Sequence, residues 1–481
     1  MKIKLLIVAF FVLQFTMAQD KPNVLFIAID DLNDYVSCMN GPLSVPTPNI
    51  DRLAKQGTLF ENAHCQAPIC GPSRASIMTG LYPSTSGNYL QVNDKSIKKA
   101  SRPASESIFM PDYFEQFGYK TMAVGKIYHG GDAAGTFKEY GGYHNWDGLR
   151  PEKRVNYDPA RLPHKVGRTM TDWGAYPEHD SIVGDYKIAK WAVDKLSKKH
   201  NKPFFLGVGF NKPHVPWHVP QKWYDMFPLE NIKTPPYKKD DLDDISLMAQ
   251  KVAEAPMMPT TEELIKWGQW KEVIQAYSAC IAFVDAQVGK VLDALENSEY
   301  ANNTIIVLWS DHGYHLGEKN RVAKQALWER DTRTVLVIKE VNQMKGKQCH
   351  APVGLIDMYP TLVDMCNLPS LNQLEGNSIK DLVIKPKTKW ENPTLCFYGE
   401  GNVVVRSKRY RLTQYEDQSL ELYDMKKDPN EWHNLANNKK YQKIIKKLQE
   451  NIPKEWTPLS EYSTYDFNDY FRAKSKKQIK Y

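Results

Sequence analysis

Apolar runs recur along this chain, separated by stretches in which apolar and polar residues alternate with helical spacing. Val24-Leu25-Phe26-Ile27-Ala28-Ile29 contains no polar position. That pattern predicts a central strand covered on both faces rather than a half-exposed one. Phe204–Phe210 and 305–309 read the same way, and between them 181–198 and 262–295 carry the helical period. The alternation predicts an α/β fold: a large mixed, mostly parallel sheet flanked by helices. Near Pro386 the pattern changes. Short segments at 395–398, 403–405, 410–415 and 420–423, divided by polar turns, predict a small antiparallel sheet with a helix over about 440–451. The expected division is therefore a leader at 1–19, a catalytic domain at 20–385 and a C-terminal subdomain at 386–481. The stretch 132–180, rich in Gly, Pro and aromatics, reads as long loops on the functional face.

The leader has the composition of a signal peptide. Lys2 and Lys4 precede an apolar run over 5–15, and Thr16-Met17-Ala18 supplies a small-residue cleavage site. An exported protein is expected, periplasmic first and secreted second. No later run approaches about 18 uninterrupted apolar residues, so no membrane span is expected. The net charge of +7 is mild for 481 residues. It gives no reason to expect a nucleic-acid partner, and the basic end (Arg472, Lys474, Lys476, Lys477, Lys480) reads as solvated. Seven cysteines make an odd set without zinc spacing, leaving at least one unpaired, with Cys70 the candidate. Cys280 falls among Ile274, Tyr277, Ile281 and Val284 and reads as helix packing.

Three groups of residues carry candidate chemistry. Cys70-Gly71-Pro72-Ser73-Arg74 continues as Ala75-Ser76-Ile77-Met78-Thr79-Gly80. Pro72 suits the first helical position, which puts Cys70 just ahead of a helix N-terminus, where negative charge is favoured. That place serves an anion or an activated nucleophile; a structural cysteine is the alternative from the turn alone. Asp30-Asp31 and Asp311-His312 each follow an apolar strand directly. Ligands in open α/β sheets bind beyond such strand ends, and clustered carboxylates call for a hard cation such as Ca²⁺ or Mg²⁺. Alone, Asp30 and Asp31 would merely cap a turn. Lys126, His129, His214 (within Lys212-Pro213-His214) and Lys324 are the candidate basic groups, each of which read singly is an ordinary surface or packed side chain.

Together these motifs resemble those of the formylglycine-dependent type I sulfatases of the alkaline phosphatase superfamily. The signature Cys-x-Pro-Ser-Arg, then three residues, Leu or Met, Thr and Gly, is matched at every fixed position, with Gly71 where Thr, Ser or Ala is more usual. Leu422-Tyr423-Asp424 with Asp428-Pro429-Asn430-Glu431 and Asn434-Leu435 resembles the family's C-terminal motif. The likeness therefore spans Pro22 to about Ala436. It implies that a maturation enzyme oxidises Cys70 to formylglycine, and that one calcium ion is held by Asp30, Asp31, Asp311, His312 and residue 70. His312 replaces the more usual Asn, as in the iduronate-2-sulfatase-like branch. The resemblance also implies roles. Residue 70 attacks sulfur, held by Arg74; Lys126 and Lys324 grip the sulfate; His214 protonates the leaving oxygen; His129 takes the proton that lets sulfate depart.

The implied substrate is a sulfated carbohydrate containing uronate: ulvan first, a glycosaminoglycan second. Two alternatives remain at this level. One is a phosphonate or phosphate monoester hydrolase of the same superfamily; the other is a non-catalytic polysaccharide-binding relative whose cysteine is never converted.

Overall fold

The computed structural model describes residues 21–41, 43–132, 134–145, 151, 154–158, 171–464 and 468–478. The leader, and much of the expected loop region between 132 and 180, lie outside the described residues.

Eight strands form the main sheet: β1 (Asn23–Ile29), β2 (Thr58–Phe60), β3 (Lys120–Gly125), β4 (Glu139–Tyr140), β5 (Phe204–Phe210), β6 (Thr304–Ser310), β7 (Leu336–Lys339) and β8 (Lys347–Cys349). Their order is β8-β2-β7-β6-β1-β5-β3-β4. β6, β1, β5, β3 and β4 run parallel, whereas β7 is antiparallel to both of its neighbours, β6 and β2. The apolar run at 24–29 is the central strand, and its register explains its composition. Val24, Phe26 and Ala28 enter one core, while Leu25, Ile27 and Ile29 enter the other. Both faces are dry, so no polar position is tolerated.

The first core receives helices α2 (Cys70–Thr79), α3 (Met110–Gln116) and α7 (Met358–Met365). The second receives α1 (Pro48–Gln56), α4 (Gly184–Leu196), α5 (Thr261–Trp267) and α6 (Trp270–Glu296). The continuous helical pattern at 262–295 is thus two helices. Gly268, at φ +70°, closes α5 as a left-handed C-cap, a break that side-chain periodicity does not register. Cys280 is buried within α6 as expected.

The C-terminal pattern folds as read. β9 (Thr394–Phe397), β10 (Val403–Arg406), β11 (Tyr410–Gln414) and β12 (Leu420–Asp424) make an antiparallel meander, followed by α8 (Gln442–Gln449). Val403, Val405 and Leu412 join the same core as Phe26 and Phe205, so the small sheet is continuous in packing with the large one. Within the loop region, Trp173–Ala175 pairs with Trp217–Val219. All seven cysteines are unpaired; Cys65 and Cys396 approach with their sulfurs 4.0 Å apart. Among the described residues no helix is long and apolar enough to cross a membrane.

Four neighbouring parallel strands end at one edge, and one glycine sets their spacing there. Gly209 pairs with Gly125, and a Cβ on Gly209 would fall 2.3 Å from the backbone carbonyl of Lys126. Gly209→Ala must therefore push β3 from β5. The expected cost is about 1–3 kcal/mol, read as a lower melting temperature, with a loss of turnover because Lys126 moves with β3.

Candidate active site

The carboxyl ends of β6, β1, β5 and β3 deliver Asp311-His312, Asp30-Asp31, the 211–214 loop and Lys126 side by side. Ile29 is in register with both Ser310 and Phe210, so the residues that follow emerge at one level. This is where ligands sit in open parallel sheets. Asp31 turns sharply, with φ +63°, and its backbone N–H donates to Asp311 Oδ1 at 3.1 Å.

Helix α2 enters this edge end-on. It starts at Cys70, with extended Ile69 as its N-cap, two residues earlier than Pro72 suggested. Proline is tolerated that far in because the first N–H groups of a helix have no intrahelical partner. Cys70 consequently sits in the first turn, not ahead of it. Gly71 has a local reason. Its N–H donates to Gln91 Oε1 at 3.2 Å, and a Cβ there would meet the Gln91 side chain at 2.8 Å.

Arg74 is fully buried and makes four hydrogen bonds. Nε donates to Asp311 Oδ2 at 2.9 Å, Nη2 to Asp30 Oδ1 at 3.2 Å, and Nη1 to the carbonyls of Lys126 and Ile127. Ser73 Oγ adds a bond to the Asp311 carbonyl at 2.5 Å. One guanidinium thus ties three strand ends to the helix.

Around the Cys70 sulfur stand four basic groups. Lys324 Nζ is 3.1 Å from it and 2.6 Å from Asp31 Oδ1. His312 Nε2 lies 3.3 Å away, and the His129 side chain is close enough to lower the thiol's pKa. Lys126 Nζ stands 2.5 Å from Asp30 Oδ2. Burial alone would raise the Cys70 pKa; Lys126, Lys324 and His312, with His129 nearby, overcome it and hold the thiol well below its usual range. Burial and Cys70 likewise push Asp30 up, but Lys126, His214 and Arg74 outweigh them and keep it ionised. Asp311 goes the other way. Burial prevails over Arg74 and His312 and pushes it up to about 7. Burial disfavours charge on His312, yet Asp311 and Cys70 raise it to about 9. This is a pocket built to hold negative charge next to residue 70.

His214 stands at the rim with Nε2 4.0 Å from Asp31 Oδ2, and its Nδ1 bonds the Val215 carbonyl at 2.6 Å. Every predicted site residue therefore reaches one locus. Asp30, Asp31, Cys70 and His312 each offer a donor atom within 4.8 Å of the others. Asp311 is the one expected ligand outside that group, its oxygens engaged by Arg74 and the Asp31 N–H, with Oδ2 3.6 Å from His312 Nε2. The group could hold a divalent cation. Two carboxylates converge, and Asp31 Oδ2 is buried without a hydrogen-bond partner, a costly state that a cation would relieve.

Three supporting residues carry no signal in the sequence. Tyr143 Oη donates to the His129 carbonyl at 2.7 Å, Asp94 Oδ2 accepts the Gly130 N–H at 2.5 Å, and Tyr277 Oη donates to the Asp31 carbonyl at 2.6 Å. The C-terminal motif acts at a distance. Glu431 accepts the Glu329 N–H at 2.8 Å and pairs with Arg411 at 3.0 Å, buttressing the segment that follows Lys324.

Comparison with known proteins bears on the same residues. The sulfatase family model matches 22–368, and a model of the N-sulphoglucosamine sulphohydrolase C-terminal region matches 317–457. The chain is 46% identical to a sulfatase of Formosa agariphila over 94% of its length and 90% of that protein. It is 31% identical to human iduronate 2-sulfatase, covering 76% of this chain and 67% of that one. A solved phosphonate monoester hydrolase from Silicibacter pomeroyi shares the fold, with a TM-score of 0.70 at 20% identity over 89% of this chain and 94% of that one. With the signature helix, the strand-end acids and the lysines gathered at one edge, the chain belongs to the sulfatase family, the type I sulfuric ester hydrolases of the alkaline phosphatase superfamily.

Proposed function

We propose that this protein is a carbohydrate sulfatase that cleaves O-sulfate esters of a sulfated, uronate-containing polysaccharide or its oligosaccharides, ulvan or a glycosaminoglycan. The observation that carries it is the set of basic groups around Cys70 Sγ: Lys324 at 3.1 Å, His312 at 3.3 Å, Lys126 on Asp30, and His129 beside them. The iduronate 2-sulfatase relative supports a uronate sugar.

When present, formylglycine at position 70 supplies a hydroxyl that attacks sulfur, and calcium supplies charge stabilisation at Asp30, Asp31, His312 and residue 70, with Asp311 beside them. The chain's own groups do the rest. Lys126 and Lys324 face the charge on the non-bridging oxygens, where fixed cations in a dry site are most effective. His214, with Nδ1 bonded to the Val215 carbonyl and Nε2 4.0 Å from Asp31 Oδ2, stands where it would protonate the leaving oxygen. His129, held through its carbonyl by Tyr143 and through the adjacent N–H by Asp94, is placed to take a proton at position 70. Arg74 fixes Asp30 and Asp311. We infer export, with conversion of Cys70 by a formylglycine-generating enzyme.

The shared fold does not choose between sulfate and phosphonate esters, since a phosphonate hydrolase has it too. Against phosphate monoesters, which carry more charge than sulfate monoesters, the donor set weighs: among the described residues one group of metal-ligating side chains converges here, whereas such esters are commonly handled by paired metals. The iduronate 2-sulfatase relative favours sulfate over phosphonate.

Matured enzyme should hydrolyse nitrophenyl sulfate far faster than nitrophenyl phosphate, and release sulfate from ulvan, heparin or dermatan sulfate oligosaccharides. Faster phosphate turnover would overturn the reading, and so would an unconverted thiol in the intact mass of the Cys70 peptide. Replacing the nucleophile, Cys70→Ser, should abolish this turnover; wild-type rates would contradict its role. His129→Ala and His214→Ala should each lower kcat by about 10²–10⁴-fold. Asp31→Asn should weaken calcium binding, measured by titration, about tenfold or more, because a hard ion loses a charged oxygen donor. Arg74→Met leaves Asp30 and Asp311 without their buried counter-charge and should cost about 3–5 kcal/mol in denaturant unfolding.

A further inference from the structure

A second concave surface lies between the C-terminal sheet and the segment that leads into it, enclosing about 1290 Å³. Its walls are the turn before β11, one face of α8 and residues 386–393. Helix α8 buries Ile445 and Leu448, so Lys443 and Lys447, one turn apart, line the cavity together. Six basic side chains (Lys387, Lys389, Lys408, Arg409, Lys443 and Lys447) face two carboxylates, Glu391 and Glu450. Lys389 is paired with Glu391 at 3.1 Å and Arg409 with Asp424 at 2.6 Å. Among the described residues, Lys387, Lys408, Lys443 and Lys447 have no ion-pair partner. Like charge gathered in a hollow without counter-charge is costly at low ionic strength, and a polyanion would relieve it.

The groove also has fixed rings. Trp390 donates its indole N–H to the Pro352 carbonyl at 2.8 Å, and Tyr410 is held between the Arg409 guanidinium, 5.0 Å from its centroid, and Tyr441. Aromatic rings in such a wall offer apolar area to a sugar face, while the Thr388 hydroxyl and the Asn451 amide oxygen offer polar partners. None of these residues belongs to the catalytic edge.

We propose that this groove binds a sulfated polysaccharide chain as a non-catalytic anchoring site. The proposal rests on the carbohydrate sulfatase reading for its choice of polyanion. A concave wall with both rings and hydrogen-bonding groups fits a polyhydroxylated polymer better than a flat bilayer.

The test separates the two claims. Binding is measured on full-length Cys70→Ser protein, which does not consume the polymer, by affinity electrophoresis in ulvan and in heparin. Adding Lys443→Glu and Lys447→Glu should weaken retention about tenfold and flatten its salt dependence, as expected when cations on a polyanion are lost. The Lys443→Arg, Lys447→Arg protein should bind normally. In the otherwise native enzyme the charge reversal should leave nitrophenyl sulfate turnover unchanged, which also reports correct folding. Lys387→Gln with Lys408→Gln gives a second, milder variant expected to weaken retention in the same direction. Retention unaffected by both variant pairs would overturn the proposal. So would equal, equally sensitive binding of desulfated heparin, single-stranded DNA or phosphatidylserine vesicles. Absence of aryl sulfatase activity in the native enzyme would instead refute the catalytic reading, leaving the binding result to stand or fall separately.

Discussion

The Arg74 guanidinium is the constraint on which the rest of the site depends. Four carboxylate and histidine side chains cannot be brought to one strand edge without opposing charge, and the interior offers no water to supply it. Arg74 meets this need with bonds to Asp30, Asp311 and two backbone carbonyls after β3. Because it sits in the same helix as Cys70, one turn later, it also fixes where Cys70 stands relative to the acids. The signature motif is thus a structural device as much as a chemical one: the cysteine and the arginine are useful only at this separation.

That arrangement divides the charged groups into two roles. Arg74 and Lys126 make the acids affordable, and Lys126, Lys324, His129 and His214 remain turned toward position 70. The opposite movements of Asp30 and Asp311, one held ionised and the other pushed up to about 7, follow from which of them Lys126 reaches. The C-terminal meander contributes through Glu431, Arg411 and Glu329, which brace the chain just beyond Lys324. Its inclusion in the same core as the central strand explains why a family motif far from the chemistry recurs at 422–435.

Much of this was legible in the chain. Strands buried on both faces announce themselves by lacking polar residues, and 24–29, 204–210 and 305–309 do so; the short strands at 394–424 were readable from their turns. The site residues were legible because strand ends and a helix start carry distinctive pairs, Asp30-Asp31, Asp311-His312 and Cys70 with Arg74. What escaped was whatever depends on contact between distant segments. Helix α2 begins at Cys70 because Ile69 is extended, and Gly268 splits one apparent helix into two. Gln91, Tyr143, Asp94 and Tyr277 support the site through backbone groups, a use that leaves no pattern in composition or spacing.

The central claim is that residues distant in sequence surround one hard divalent ion next to a converted residue 70. A crystal structure of the matured enzyme with calcium and a sulfate-bearing ligand tests it most directly. The account predicts a single calcium ion among Asp30, Asp31, His312 and residue 70, with sulfate oxygens against Lys126 and Lys324. Density for an unmodified thiol, no ion between the acids, or sulfate bound elsewhere would contradict it.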